Sequence, residues 1–415
     1  MIFRNTYLNK IKPFIGKPLV KVITGIRRSG KSTVLKMLQA EFLSQEINEE
    51  QIIMLNFESF SVSELTNAAK LYDFLREKIS SDKKHYLLFD EIQEVENWEK
   101  VINSLLVDFD TDIYITGSNS HLLSSELATF LAGRYVEISI FTLSYSEYLD
   151  FSTRYLADNR GFVITTNSEK KITVNTGDFE NYLHLGGFPV IHTADYSLET
   201  AYRVVLDIYS SVILRDTVQR HNIRDIELLE RVVKYAFDNI GNTFSGKNVA
   251  DFFKSQQRKI DLNTVYNYLN ALESAFILYR VPRYDIKGKE VLKTQEKYYV
   301  GDVSLLYATM GFRDRIIGGI LENLVFLEMK RRDYQVFVGK YDNKEIDFIC
   351  EKQGEKIYIQ VSYKLENEQT VEREFSPLLS INDNYPKYVV TMDSFWKENV
   401  GGVKHLHIKD FLLNK

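Results

Sequence analysis

The stretch LVKVITGIRRSGKSTVLKML, residues 19–38, constrains this chain more than any other. Residues 19–24 form a β-branched apolar run suited to a buried parallel strand. Residues 32–42 place Leu35, Leu38 and Phe42 at helical spacing. Between them, Gly25-Ile26-Arg27-Arg28-Ser29-Gly30-Lys31-Ser32 fits G-x-x-x-x-G-K-[ST] without a gap, and Thr33 follows. Glycines let successive backbone N–H groups turn towards phosphate oxygens, and the helix N-terminus adds a favourable dipole. Lys31 is placed to reach β- and γ-phosphates, and the Ser32 hydroxyl to meet Mg²⁺. The bland alternative is a glycine turn followed by a chance lysine. The flanking strand and helix weigh against it.

Strand–helix alternation continues to about residue 150. Strands are expected at 51–58, 85–91, 112–119 and 135–140, and helices at 64–79, 97–109 and 121–131. This pattern builds an α/β domain with a parallel sheet. "HYLLFDE" ends one strand in Asp90, suited to the Mg²⁺ shell, and Glu91, suited to activating a water. "ITGSN" ends the next with Ser118 and Asn119, polar groups placed to sense a γ-phosphate. Seen alone, such acids are more often solvated groups at a strand terminus. Only their place at the same sheet edge as the loop raises them to site candidates.

The 415 residues exceed one ordinary core. Four segments are expected: 1–150, a connection and helical lid over 151–225, a helical segment with a hairpin over 226–300, and an α/β module over 301–415. Residues 151 to about 180 read as an irregular connection or small hairpin. No apolar run approaches the ~18 residues a membrane span needs, and Met1-Ile2-Phe3-Arg4 lacks a secretory layout. A single cysteine, Cys350, leaves no internal disulfide. A cytoplasmic location is the simplest expectation. The net charge of -5 gives no global attraction to nucleic acid.

The glycine–x–Arg–Arg–x–Gly–Lys–Ser loop, "DEIQEVENWE", "ITGSNS" and "LAGRY" together resemble the AAA-type P-loop ATPases of the AAA+/STAND group. In particular they resemble prokaryotic ATPases with an uncharacterised C-terminal domain. "YLHLGGFP" (182–189), "RDTVQRHNIRD" (215–225) and "EIDFI…YIQV" extend the likeness along most of the chain. The resemblance implies ATP, where spacing alone shows only a nucleoside triphosphate site, and it implies a ring or other homo-oligomer. Arg134 in "AGRY" then has two readings, an arginine finger completing a neighbouring subunit's site or a structural salt bridge. As sequence, "GGFP" is simply a turn, which the resemblance implies lies near the nucleotide as a lid.

Helices over 245–255 and 261–272, followed by a hairpin around Lys287-Gly288-Lys289, suggest a winged helix-turn-helix, as does the resemblance. Arg280, Arg283, Lys287, Lys289 and Lys293 are the candidate DNA-phosphate contacts. The recognition helix has almost no positive charge, so sequence-specific duplex reading is the weaker expectation, and winged helices also serve as protein-docking modules. In the last module, Glu322 on a helix and Asp347 on a strand resemble the PD-(D/E)XK (restriction-endonuclease-like) fold. Gln360-Val361-Ser362 stands where that motif wants acid–x–lysine, and Lys364 is the candidate substitute on the same strand face. The expectation is a nuclease-like fold that does not cut.

Two roles remain open from the sequence. One is a motor or remodeller on DNA, and the other a STAND-type nucleotide switch regulating a partner protein.

Overall fold

The computed structural model describes residues 3–80, 82–120, 131, 133–160, 176–194, 196–255, 261–311, 313, 316–394 and 399–413. The chain divides into two compact units, Met1–Ile140 with Ser274–Phe276, and Phe141–Glu273 with Ile277–Lys415. The expected helix over 121–131 falls almost wholly outside the described residues. Among the described residues, no helix is long and apolar enough to cross a membrane.

In the first unit, strands β1 (Val20–Thr24), β2 (Ile52–Asn56), β3 (His85–Asp90), β4 (Thr111–Gly117) and β5 (Tyr135–Ser139) form a sheet of order β2-β3-β4-β1-β5. Every pairing in it is parallel. Period-2 alternation decides which side chains meet which helices. Leu87, Phe89, Ile113 and Ile115 face the cluster holding Leu71 and Leu75 of α3 (Ala68–Lys78) and Trp98, Val101 and Leu105 of α4 (Trp98–Asp108). Ile23, Leu88 and Tyr114 face the cluster holding Tyr7, Leu8 and Ile11 of α1 (Asn5–Ile11) and Val34, Leu35, Leu38 and Phe42 of α2 (Lys31–Ser44). Each such fully buried side chain contributes about 1.5–3 kcal/mol. Helix α3 starts later than its pattern suggests, because the Asn67 side chain accepts from Ala69 and Lys70 N–H and caps it there. Residues 60–66 before it form a 3₁₀ segment.

The sheet order matters for function. The strand carrying the glycine loop and the strand ending in Asp90 are not neighbours, since β4 lies between them. Strand order therefore reverses beside the loop, which opens a crevice at the carboxyl ends of the strands.

The second unit is built on nine strands among the described residues: β6 (Thr243–Phe244), β7 (Leu278–Asp285), β8 (Glu290–Val300), β9 (Gln335–Tyr341), β10 (Lys344–Lys352), β11 (Glu355–Val361), β12 (Lys387–Thr391), β13 (Asn399–Val400) and β14 (Val403–His407). Their order is β13-β14-β12-β11-β10-β9-β7-β8-β6. Ile346, Ile349, Tyr358, Phe375, Leu378, Val389 and Val403 form one core beneath it.

Residues 151–160 are not an irregular connection. Helix α5 runs from Tyr145 to Arg160, and α6 from Thr176 to Leu185, with 161–175 outside the described residues. A capping box starts α5: Glu147 N–H donates to Ser144 Oγ at 3.2 Å, and Ser144 N–H donates to Glu147 Oε2 at 3.0 Å. The "GGFP" turn belongs to this unit, where Gly187 N–H donates to Asp302 Oδ2 at 2.8 Å.

Candidate nucleotide site

All five residues of β1 are buried, and the strand delivers the chain directly into the loop. Gly25 has φ +145, and a Cβ there would stand 2.1 Å from the Ile140 carbonyl oxygen, so no side chain fits. Gly30, at φ +103, is the left-handed N-cap of α2. Together they close a loop whose interior is bounded by backbone. The Ser29 hydroxyl is buried in it and makes no hydrogen bond among the described residues. Such a cradle suits a polyphosphate.

Lys31 is buried, and its ammonium donates to the Gly25 carbonyl at 3.0 Å and the Ile26 carbonyl at 3.3 Å. It also stands 3.8 Å from Glu91 Oε1. Glu91 adopts the left-handed conformation, φ +53, which turns the chain sharply after β3. Thr116 of β4 fixes that turn from the neighbouring strand. Its hydroxyl donates to Asp90 Oδ1 at 2.6 Å and accepts from Glu91 N–H at 2.9 Å. Ser32 also hydrogen-bonds the Asp90 carboxylate, so the two residues expected to hold Mg²⁺ are in contact.

Burial pushes the Asp90 carboxyl above its usual range, against the hydrogen bonds from Thr116 and Ser32. Burial acts to raise Glu91 as well. There the Lys31 ammonium, with the Gln93 hydrogen bond, Arg27 and Ser118, outweighs it and holds the carboxyl below its ordinary value. Two adjacent acids thus carry different proton affinities. The more acidic one is beside the lysine.

Ser118 and Asn119 are fully buried just past β4, with Ser118 bonded to Glu91. Arg27 pairs with Glu58 at 2.8 and 3.0 Å, while Arg28 is exposed at φ +65, and Thr33 lies in the first turn of α2. Arg134 is not brought to this site. It precedes β5 at the opposite sheet edge, where its carbonyl accepts from Val20 N–H at 2.9 Å and its guanidinium donates to Asn103 Oδ1 at 2.8 Å.

Sequence reasoning missed two contributors. Thr116 is one. The other is Arg4, buried under α1, whose guanidinium donates to the Ser29 carbonyl at 2.7 Å and stacks 4.5 Å from the Tyr7 ring centre.

In the second unit, Arg283 is largely buried and stands 3.7 Å from Glu345, which removes it from the set of free phosphate contacts. Lys287 pairs with Asp342 at 2.7 Å on an exposed surface, and Arg280 with Glu273 at 3.5 Å. Lys289 is exposed at the end of the turn; the Lys293 side chain lies outside the described residues. Glu322 on helix α12 (Ile317–Arg331), Asp347 on β10 and Gln360 on β11 line one cavity. Strand β11 ends at Val361, so Ser362 and Lys364 lie beyond it and not on its face, correcting the expectation for Lys364.

The parallel sheet, the glycine loop and the adjacent acid pair define an AAA-type P-loop ATPase domain. Residues 17–149 match the family described as an AAA domain, and residues 176–315 match a domain of unknown function, DUF8612. Along its whole length the chain is 38% identical over 414 residues to an uncharacterized protein of Haemophilus influenzae, covering 100% of this chain and 99% of that one. An uncharacterized protein of Methanocaldococcus jannaschii is 33% identical over 370 residues, covering 86% and 77%. The chain belongs to the family these proteins represent. Among solved structures, similar chains include a Walker-type ATPase of Pyrococcus abyssi (15% identity, 74% of this chain and 95% of that one, TM-score 0.48). Another is the Orc1 protein of Aeropyrum pernix in complex with DNA (12% identity, 79% and 93%, TM-score 0.29).

Proposed function

We infer that this protein binds and hydrolyses ATP at the glycine loop, works as a homo-oligomer, and couples turnover to remodelling or movement on DNA. The observation that carries the ATPase reading is the convergence of Lys31, Ser32, Asp90 and Glu91 at one sheet edge, with Thr116 tying the two acids to β4. Gly25, Arg27, Arg28, Ser29, Gly30, Lys31, Ser32 and Thr33 would surround the phosphates. Ser32 and Asp90 would hold Mg²⁺, which when bound neutralises phosphate charge and polarises the phosphoryl group. Lys31 supplies a fixed positive charge to the β- and γ-phosphates. Glu91 Oε1 orients the attacking water and receives its proton, and Ser118 and Asn119 hold the polar wall at the γ-phosphate end. Arg134 lies at the far sheet edge, bonded to Asn103, and would act on a neighbouring subunit's nucleotide rather than on its own.

The DNA reading is supported by element order. Helix α8 (Ile226–Asp238), β6, helices α9 (Gly246–Ser255) and α10 (Leu262–Ser274), and the β7–β8 hairpin with β6 paired to β8 follow the sequence of a winged helix. The helix α12 and strands β9 to β12 after it support a restriction-endonuclease-like reading of residues 301–415. A STAND-type switch acting on a partner protein is the second reading. Its support is the largely buried Arg283 of the hairpin, which stands beside Glu345 and is not open to phosphate.

Steady-state phosphate release, with and without a panel of duplex, single-stranded and branched DNA, separates the two. Stimulation by DNA supports the remodeller. Slow turnover, indifferent to DNA and with tightly held nucleotide, supports the switch.

A further inference from the structure

The second unit contains a buried cation that the ATPase reading does not use. Lys297 of β8 has a side chain only 2% exposed, yet its ammonium is not short of partners. It stands 3.2 Å from Glu322 Oε2, 3.1 Å from Asp347 Oδ1 and 2.9 Å from Glu345 Oε1. An ammonium has three N–H donors, and here it donates to Glu322 and Asp347 with Glu345 in ion-pair contact. These acids come from α12 and β10, and they line a cavity of about 860 Å³ together with Gln360 and Lys364.

The surrounding bonds hold this arrangement in place. Asn323, next to Glu322, accepts from Val300 N–H at 2.6 Å and donates to the Val300 carbonyl at 2.9 Å, locking α12 onto β8. Tyr299 donates to Glu322 Oε2 at 2.8 Å. Asp347 Oδ2 accepts from Val361 N–H at 2.9 Å, and Gln360 Oε1 accepts from Asp347 N–H at 3.3 Å. Glu322 Oε2 thus accepts from both Tyr299 and Lys297, while Asp347 is held through Oδ2 by Val361 and turns Oδ1 to the same lysine nitrogen.

We propose that Lys297 is the resident cation of this carboxylate cage and that, by filling it, the chain excludes a divalent metal from its nuclease-like cavity. The inference rests on the restriction-endonuclease-like reading of residues 301–415 and does not depend on ATP binding. The distances carry it. Oxygen ligands approach Mg²⁺ at about 2.0–2.1 Å in octahedral geometry, whereas this cage is spread to 2.9–3.2 Å around a nitrogen. Among the described residues no set of three acids is spaced to hold a metal as it stands. Charge agrees with geometry. Burial would lower the Lys297 ammonium, but Glu322, Tyr299, Asp347 and Glu345 outweigh it and keep it positive, while burial and the neighbouring Asp347 push the Glu322 carboxyl up. A second cation entering beside the ammonium would face its repulsion at contact distance. One charge in the cage is enough. The same ion cluster ties the hairpin strand β8 to α12 and β10, so the lysine also serves as an assembly pin within the unit.

The test is Mn²⁺ titration of the full chain, followed by electron paramagnetic resonance without nucleotide, in wild type, Lys297→Met, and Lys297→Met combined with Asp347→Asn. The expected result is no Asp347-dependent Mn²⁺ binding in wild type. Lys297→Met should bind Mn²⁺ at least about tenfold more tightly, and the gain should vanish in the double variant. Removing the ammonium also strands buried carboxylates, so thermal melting is read in parallel. Lys297→Met should melt lower than wild type and recover with Mn²⁺, because a ligand stabilises the state it binds. Three results would each overturn the proposal: Mn²⁺ binding or DNA cleavage by wild type that is lost in Asp347→Asn; a folded Lys297→Met with no gained Mn²⁺ affinity; or a Lys297→Met chain that stays unfolded even in Mn²⁺.

Discussion

The Lys31 ammonium lies 3.8 Å from the Glu91 carboxylate, and both side chains are buried. This pair joins the lysine of the glycine loop to the acid after β3, across the width of an intervening strand. Since β4 separates β1 from β3, the contact exists only because the loop folds over the strand ends. It places the residue that would bind phosphate beside the one that would handle water.

Glu91→Gln keeps the size and the hydrogen-bonding end of the side chain and removes its basicity. Nucleotide binding should persist, and turnover should fall by roughly 10²–10⁴-fold, the usual contribution of a positioned base. Phosphate release alongside fluorescent-nucleotide binding checks both halves. Brisk hydrolysis by the variant would move the base elsewhere.

Thr116→Val retains shape but deletes the hydroxyl that bonds both Asp90 and the Glu91 N–H. Leaving a buried donor and a buried carboxylate without that partner should cost about 1–3 kcal/mol. Chemical denaturation should show this as a lower midpoint at unchanged slope, and turnover should drop because the turn at Glu91 loses its anchor. A midpoint equal to wild type would show that the hydroxyl is dispensable.

If Arg134 acts across a subunit boundary, mixing rescues its loss. Arg134→Ala and Lys31→Ala should each be inactive alone, and verified mixed oligomers should regain some hydrolysis. One partner brings intact loops and the other intact fingers. Failure to recover at every mixing ratio would leave Arg134 with its observed structural bond to Asn103.

The exposed pair of Lys287 with Asp342 is worth little in water, so phosphate can compete for the lysine. Lys287→Glu with Lys289→Glu should therefore weaken DNA binding across all sequences and lower the salt slope by about 1 for each lost contact. Affinities indistinguishable from wild type would point to protein docking by the hairpin.

What the sequence discloses here follows contiguity. The glycine loop and the Asp90-Glu91 pair are legible because each packs its chemistry into a few adjacent residues at a strand end. Thr116 and Arg4 are not, because they act through bonds to positions 26 and 25 residues away, and no local pattern marks them. Lys297 is further removed, reaching Asp347 across 50 residues from what reads as an ordinary basic hairpin. Arg283 misleads for a related reason. Its charge is visible in the sequence, but the Glu345 that stands beside it is not. By contrast, the Ser144–Glu147 capping box was a local signal, and it marks helix α5 where the polar residues after 150 suggest a loop. Lys364 depended on a strand boundary. Strand β11 stops at Val361, and the expected shared face ends with it.

The central claim is that the loop at residues 25–33 binds nucleotide through Lys31, and thermal melting with Mg²⁺ and ATP tests it most directly. Because Lys31→Ala also removes a charge partner of the buried Glu91 carboxylate, each protein is compared with its own melting temperature without ligand. Wild type should gain stability as ATP exceeds its dissociation constant, about 2.7 kcal/mol at a hundredfold excess. Lys31→Ala should remain folded, melt lower than wild type and show no rise with ATP. A rise in Lys31→Ala equal to that of wild type would contradict the account.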